Sequence, residues 1–571
     1  MPLTSLESRQ STGLGWALLP IALALPLLAE THTAPWTMFY QEVGMAAVML
    51  AVAAWAVARS SSAWAMTLLP LGIAGLAAIP VLQAFGGLLA YPQEGIVAAL
   101  YVSGFLLAVL TGMRLETSSP GRLADALFAS FVLLGIASVG MQLYQWLELD
   151  HFGVLVLQLP VRGRPAANVG QPNLLATLLV WGLIALWWAY EKRHIGRQGA
   201  FVGAAFLLLG VAITQSRTGW LELALLCAAS LWRRGRMERP LAPAAVLALA
   251  AWFVLLVVVW PSLGEALGLD PALSLADQMA TGKRLAIWRL GLDAIADRPW
   301  LGWGWNQGGE AQVALASASS ALPVFTPYMH SLLLDLVVWN GIPLGAFAAA
   351  AFGVWFVSRW NGHETGQQRL LLLALATLLV HAMLELPHVY AVFVLPAGLM
   401  MGMIEARAGT RPVLWLPRWA VAASIGGLVV ALCFLVRDYR AVEKDLLALR
   451  MHAARIANLP PLGSAPPLVL MGSHEDLLIT LRIAPAAGLD GTTLDRMERV
   501  ARHFPSAGNL MRVAHADSLN GRPEKARDAL ALLCRLTTPD RCLAAMNDWR
   551  GLGGVESGVS AAPVPPAFAS R

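Results

Sequence analysis

The 571 residues are 57% hydrophobic and only 13% charged, whereas soluble domains carry about 25% charged residues. Apolar runs long enough to cross about 30 Å of hydrocarbon recur from Leu14 to Val436, more than a single soluble core absorbs. The formal net charge of +5 does not mark a nucleic-acid binder, because the basic residues gather in short loops between the apolar runs.

In chain order, about thirteen membrane helices are expected, at 13–29, 41–58, 64–83, 95–113, 122–144, 172–190, 198–215, 217–232, 240–260, 331–357, 369–385, 389–406 and 414–436. The first run leads into Glu30, Thr31 and His32 instead of a small-residue cleavage site, so it reads as a retained span. The loops carrying Lys192, Arg193 and Arg197, then Arg233, Arg234, Arg236 and Arg239, then Arg407, Arg411 and Arg418, are cytoplasmic by the positive-inside rule. The segments 30–40, 84–94, 145–171, 215–217, 261–330 and 385–389, and everything after 437, then lie outside.

From Arg437 charged residues become frequent and helical periodicity replaces solid apolar runs. The segment 459–467 reads as a linker and 551–571 as a disordered tail. Between them, 510–536 reads as a helix, a turn with Gly521 and Pro523, and a second amphipathic helix, a pattern of tetratricopeptide type. The expected fold class is therefore all-α and polytopic. N-terminal membrane helices occupy 1–150, a membrane core with the long outer loop 261–330 occupies 151–436, and a soluble helical domain occupies 437–571. Cys227 and Cys433 fall in spans and read as packing, whereas Cys534 and Cys542 lie outside, where a disulfide is permitted but not required.

Four polar clusters interrupt the apolar pattern. In the first, Asn168, Gln171 and Asn173 surround Pro172, which suits the first turn of a helix. They can present amides to a sugar or phosphate, and they equally fit an ordinary loop and cap. In the second, Arg217 sits between two spans with almost no loop. An arginine so close to hydrocarbon faces the protein interior or a wet cavity, where it can clamp a phosphate, unless it snorkels to headgroups. The third, around Lys283, Arg284 and Arg289, puts 284, 288 and 292 on one helical face, with Trp288, Trp300, Trp303 and Trp305 suited to the membrane interface. A pyrophosphate site and a simple anchor fit it equally.

The fourth cluster places His330 at the mouth of a span and Asp335 within it. Histidine is the side chain best suited to take a proton near neutral pH, and Asp335 or Glu385 can orient it. Capping of the helix is the alternative. His381, Glu385, His388 and Tyr390 crowd the next outer turn, where His381 and Glu385, at i and i+4, are two ligands without a third and make a poor metal site. No acidic pair of the Asp-x-Asp kind stands in an outer loop, which disfavours a glycosyltransferase dependent on a divalent metal.

In this order, GQPNLLAT, QSRTGW, RLAIW followed by DRPWLGWGW, HSLLLDLVVWNGIPLG, and HAMLELPHVYAVFVLPAGLMMG resemble the O-antigen ligase/polymerase superfamily over most of 150–410. Within it the chain is most similar to the bacterial protein O-oligosaccharyltransferases that glycosylate pilins. The resemblance implies a GT-C-like enzyme of the bacterial inner membrane, with its active site and C-terminal domain facing the periplasm. Such an enzyme moves an oligosaccharide en bloc from undecaprenyl-pyrophosphate to Ser or Thr of a pilin-like or other periplasmic protein, with inversion and without metal or cofactor.

It assigns His330 as the base on the acceptor hydroxyl, with Arg217 and Arg284 on the donor pyrophosphate. Asn168, Gln171, Asn173, Arg289, Glu385 and Tyr390 complete the expected substrate contacts, and Pro35, Phe39 and Glu42 in the first outer loop are suggestive. Leu174 departs from the pattern, since the branch often carries a polar residue there. Competing readings are an O-antigen ligase acting on lipid A-core, a Wzy-like polymerase, and a transporter of lipid-linked glycan. The tail after 437 argues against the first two by offering a surface to a protein acceptor. A transporter would place its polar residues near the midplane.

Overall fold

The computed structural model describes residues 4–149, 153–159, 163–232, 237–269, 282–316, 322–362 and 365–553. The cluster Arg233, Arg234 and Arg236, the side chain of Lys283, and the tail expected to be disordered (from 554 on) lie outside the described residues.

A helix covers each expected span: α1 Thr4–Ala24, α2 Phe39–Ala58, α3 Leu68–Phe85, α4 Pro92–Ser118, α5 Arg122–Trp146, α6 Pro172–Glu191, α7 Arg197–Thr214, α8 Arg217–Trp232 and α9 Pro243–Ala266. After two helices in the long loop, α10 Gly282–Asp297 and α11 Gly308–Leu315, the series continues with α12 Leu332–Trp360, α13 Gly366–Ala382, α14 Ala391–Arg407 and α15 Arg418–Ala453. Among the described residues, nine helices are long and apolar enough to cross a membrane: α2 to α7, α9, α12 and α15. The chain is an all-α, multi-pass membrane protein.

Two expected helix starts differ. Trp64–Met66 and Leu414–Leu416 are short strands, β1 and β2, paired antiparallel with Trp64 opposite Leu416. Pairing the two segments satisfies backbone groups that would otherwise meet the membrane edge unbonded, so α3 and α15 begin only at Leu68 and Arg418. Conversely, α15 runs to Ala453 rather than 436. Its charged continuation has lost hydropathy but not helix propensity, because Arg, Glu, Lys, Leu and Ala all favour helix.

The chain forms two compact units, one of 1–76, 100–280 and 350–432, the other of 77–99, 281–349 and 433–571. In the first, α6 is the central helix, packed by α5, α7, α8 and α13. Its most apolar stretch is 83% buried, against 11% for α9. A helix apolar on all faces belongs inside a bundle. Trp181 and Trp188 of α6 are almost fully buried, and their indole N–H groups donate to the Ala374 carbonyl and to Asp125.

In the second unit the loop DRPWLGWGW is fitted to a break in α12. Gly341 adopts φ 75°, ψ 168° inside the helix and Pro343 follows it, which removes intrahelical donors. The carbonyls freed at Val338 and Trp339 accept from Trp303 N–H at 2.8 Å and Gly304 N–H at 3.1 Å, while Ile342 N–H donates to Pro299 O at 2.7 Å. Only glycine fits at 341 and 302. A Cβ at Gly341 would stand 2.2 Å from the Trp300 carbonyl oxygen, and both residues have positive φ.

Beyond α15 lie α16 Gly472–Arg482, α17 Gly491–His503, α18 Ala507–Leu519, α19 Pro523–Arg535 and α20 Pro539–Gly553. α18 and α19 form the expected hairpin. Leu510, Val513 and Ala514 close against Ala526, Leu530 and Leu533 in a core that Trp549 completes. Cys534 and Cys542 are disulfide-bonded.

His503 closes α17 onto the rest of this unit, with Nε2 2.8 Å from Glu94 and Nδ1 3.0 Å from Glu310. The ring also meets Tyr91, whose hydroxyl donates to Asp476, itself paired with Arg496 and Arg499. Burial alone would lower the His503 pKa, but the hydrogen bonds and charges of Glu310 and Glu94 outweigh it and push it up to about 9. An unfolded histidine titrates near about 6.5, so this stabilisation is whole below about pH 6.5 and is lost as pH rises through about 9. The protection factors of α17 amides, taken relative to intrinsic base-catalysed exchange, are expected to fall across that interval, and His503→Gln to abolish this fall. Protection factors indifferent to both would contradict the assignment.

Candidate active site

In the first unit, polar side chains meet at one end of α6, α8 and α13. Gln171 caps α6 in extended conformation, Pro172 opens it, and Asn173 occupies its first turn. The turn from α7 to α8 is made by Gln215 in the left-handed region (φ 51°). Ser216 then caps α8, its Oγ accepting from Gly219 N–H at 3.2 Å. The same hydroxyl donates to Asn173 Oδ1 at 2.8 Å, while Asn173 Nδ2 donates to Glu385 Oε1 at 3.1 Å. Asn173, Ser216 and Glu385 are thus one hydrogen-bonded set drawn from three expected segments.

Arg217 is the first residue of α8 and is half-buried. Among the described residues its guanidinium has no hydrogen-bond or ion-pair partner, and its five donors remain available to an anion. Gln171 is also half-buried, with its amide in no hydrogen bond among the described residues. Tyr390 caps α14.

Asn168 has a different part from the one its sequence context suggests. It is 1% exposed. Its amide donates to the carbonyls of Leu28 and Leu155 at 2.8 Å each, and its Oδ1 accepts from Leu157 N–H at 2.9 Å. Its own carbonyl receives Gln41 Nε2 and lies 2.9 Å from His32 Nε2. Its side chain thus fastens the loop before α6 to itself at Leu155 and Leu157 and to the first loop at Leu28, so its amide is occupied by the protein's own backbone. Gln41 and His32, which complete that junction, carry no local sequence signal.

In the second unit, His330 precedes α12 with φ 52°, in the left-handed region, as do seven other non-glycine residues among those described. Asp335, fully buried one turn into α12, accepts the Met329 N–H at 2.7 Å and so shapes the turn that carries the histidine. Asp335 therefore fixes the backbone of the residue just before His330. A residue held in such a conformation by its surroundings marks a site where position matters more than local comfort. On α10, Ile287, Leu290 and Ala294 make the buried face, Arg284 is half-buried, and Arg289 is exposed with no hydrogen-bond or ion-pair partner among the described residues. Arg298 lies 3.8 Å over the Trp303 ring.

Three family models match the chain: one described as O-antigen ligase over residues 202–349, one described as virulence factor membrane-bound polymerase, C-terminal, over 369–534, and one described as protein glycosylation ligase over 165–188. A general O-oligosaccharyltransferase of Acinetobacter baylyi is 29% identical over 535 residues, 92% of each chain. A ComP-specific O-oligosaccharyltransferase of the same organism is 28% identical over 247 residues, 43% of this chain and 44% of that one.

An all-helical, multi-pass fold with such relatives and with guanidinium, amide and imidazole groups at helix ends defines a membrane glycosyltransferase. The chain is similar to the O-antigen ligase superfamily and, within it, to the protein O-oligosaccharyltransferases.

Proposed function

We propose that the chain transfers an oligosaccharide en bloc from undecaprenyl-pyrophosphate to serine or threonine hydroxyls of pilin-like or other periplasmic proteins. It does so from the bacterial inner membrane, with the site and the region after 437 on the periplasmic side. The observation that carries this reading is His330, held at a positive φ by a turn that buried Asp335 ties down. That His330 does the chemistry, and that Arg217 and Arg284 act on the donor pyrophosphate, is part of the proposal.

The chemistry follows from these groups. His330 accepts the proton of the acceptor hydroxyl as its oxygen attacks the anomeric carbon. The bond from that carbon to the pyrophosphate oxygen breaks on the opposite face, so a single displacement inverts the configuration. The departing pyrophosphate carries the electron pair, and Arg217 and Arg284 stabilise its charge far better in a partly dehydrated site than they would in water. Arg289, Gln171, Asn173, Glu385 and Tyr390 hold the carrier phosphates and the sugar, and no resident metal or cofactor takes part.

The test is to express the chain in a host without its own ligases, with a lipid-linked oligosaccharide pathway and a pilin, and to weigh pilin and lipopolysaccharide core. A glycan-sized gain on the pilin is expected. A gain on the core alone would make the chain an O-antigen ligase. The match of 369–534 to a polymerase C-terminal model adds a further arm, in which lengthening of the lipid-linked glycan would mark a polymerase.

A further inference from the structure

One turn beneath Asn173, Ser216 and Glu385 lies a second polar layer that the proposed chemistry does not use. Thr177 of α6, Glu222 of α8 and His381 of α13 are each 0% exposed. Thr177 Oγ1 is 2.6 Å from Glu222 Oε1 and 2.6 Å from His381 Nδ1, and the imidazole and carboxyl come within 3.9 Å of each other.

The spacing ties the two layers together. Thr177 follows Asn173 by one helical turn on α6 and shares its face, while His381 lies in the last turn of α13 and its carbonyl accepts from Glu385 N–H at 2.8 Å just beyond the helix. Glu222 stands in the second turn of α8, the helix that Ser216 caps. The three helices that present the upper set are therefore joined just below it by a single cluster.

Burying an acid and an imidazole together in hydrocarbon is costly, and such groups pair with one another when they occur. The threonine hydroxyl has one proton and sits between them. When it donates to the Glu222 carboxylate it accepts from Nδ1–H of His381, and when it donates to Nδ1 it accepts from a protonated Glu222. Either way Thr177 makes both bonds, and its removal breaks both.

We infer that Thr177, Glu222 and His381 are positioning residues that set the rotation and depth of α6, α8 and α13, and so the presentation of Asn173 and Glu385 to the lipid-linked donor. The inference rests on Asn173 and Glu385 being donor contacts.

The test measures initial rates against donor concentration for the full chain in lipid nanodiscs, with an undecaprenyl-pyrophosphate oligosaccharide and a pilin acceptor. Thr177→Val removes the hydroxyl at constant shape and is expected to raise the donor KM about tenfold, the scale of one buried hydrogen bond. Thr177→Ser, which keeps the hydroxyl, is expected to restore it. A merely structural part would lower the amount of active enzyme, and hence kcat, while leaving the donor KM of the remainder unchanged. A wild-type donor KM in Thr177→Val overturns the inference, whatever happens to kcat, and Thr177→Ala carries the same test if the valine variant does not accumulate. Asn173→Ala and Glu385→Gln run alongside. If they raise the donor KM and Thr177→Val does not, the positioning role alone fails. If neither moves it, the reading of the upper layer fails first.

Discussion

Replacing His330 by alanine is expected to reduce glycan transfer by about 10²–10⁴-fold, the usual contribution of a positioned general base. The loss should fall on kcat, because the imidazole acts on the acceptor proton in the transition state while the arginines bind the donor. The protein should still fold and insert, since the side chain is half-buried and Asp335 bonds to the Met329 backbone, which the substitution keeps. His330→Gln should be equally inactive, because an amide hydrogen-bonds but does not take the proton. Transfer by either variant at the wild-type rate, scored by pilin mass in a ligase-free host, would remove His330 from the chemistry.

Arg217→Ala is expected to lower the rate by about 10²–10³-fold, the scale for deleting one preorganised charge-stabilising group. Arg217→Lys should recover only part of this, because an ammonium keeps the charge but loses the planar fork that meets two phosphate oxygens at once. The partnerless state of the guanidinium among the described residues sharpens the expectation. Removing it should break no internal bond, so the thermal stability of Arg217→Ala should stay close to wild type. A large fall in stability with little loss of rate would make Arg217 structural instead. Arg289→Ala, on the exposed side of α10, should cost less than Arg217→Ala if it contributes only electrostatic attraction to the carrier phosphates.

Much of this architecture was legible in the sequence. Hydropathy located the spans, because an apolar run of membrane length has no other stable fate. The break in α12 at Gly341, filled by loop amides, falls inside the stretch 331–357 that hydropathy reads as one uninterrupted span. The hairpin at 510–536 followed from turn residues between two amphipathic stretches. Less legible were β1 and β2, whose pairing joins Trp64 to Leu416 across most of the chain. The eventual task of each polar residue was also hidden. Asn168 and Asn173 are five residues apart in one motif, yet the first is consumed by backbone carbonyls and the second faces Ser216 and Glu385.

Glu222 carries a signal of its own in the sequence. A carboxyl group inside the run LELALLC is anomalous in hydrocarbon and calls for a partner. That its partners are Thr177 and His381, the latter 204 residues from Thr177, depends on how far α6, α8 and α13 rotate and slide as they pack. By itself the sequence determined which stretches are apolar enough to be helical spans and which residues could carry charge to a phosphate, since these follow from local composition and backbone chemistry. Which polar groups satisfy one another and which stay open to substrate was decided only by the tertiary structure. A hydrogen bond needs its atoms within about 3 Å, and only the packing of distant helices brings them there.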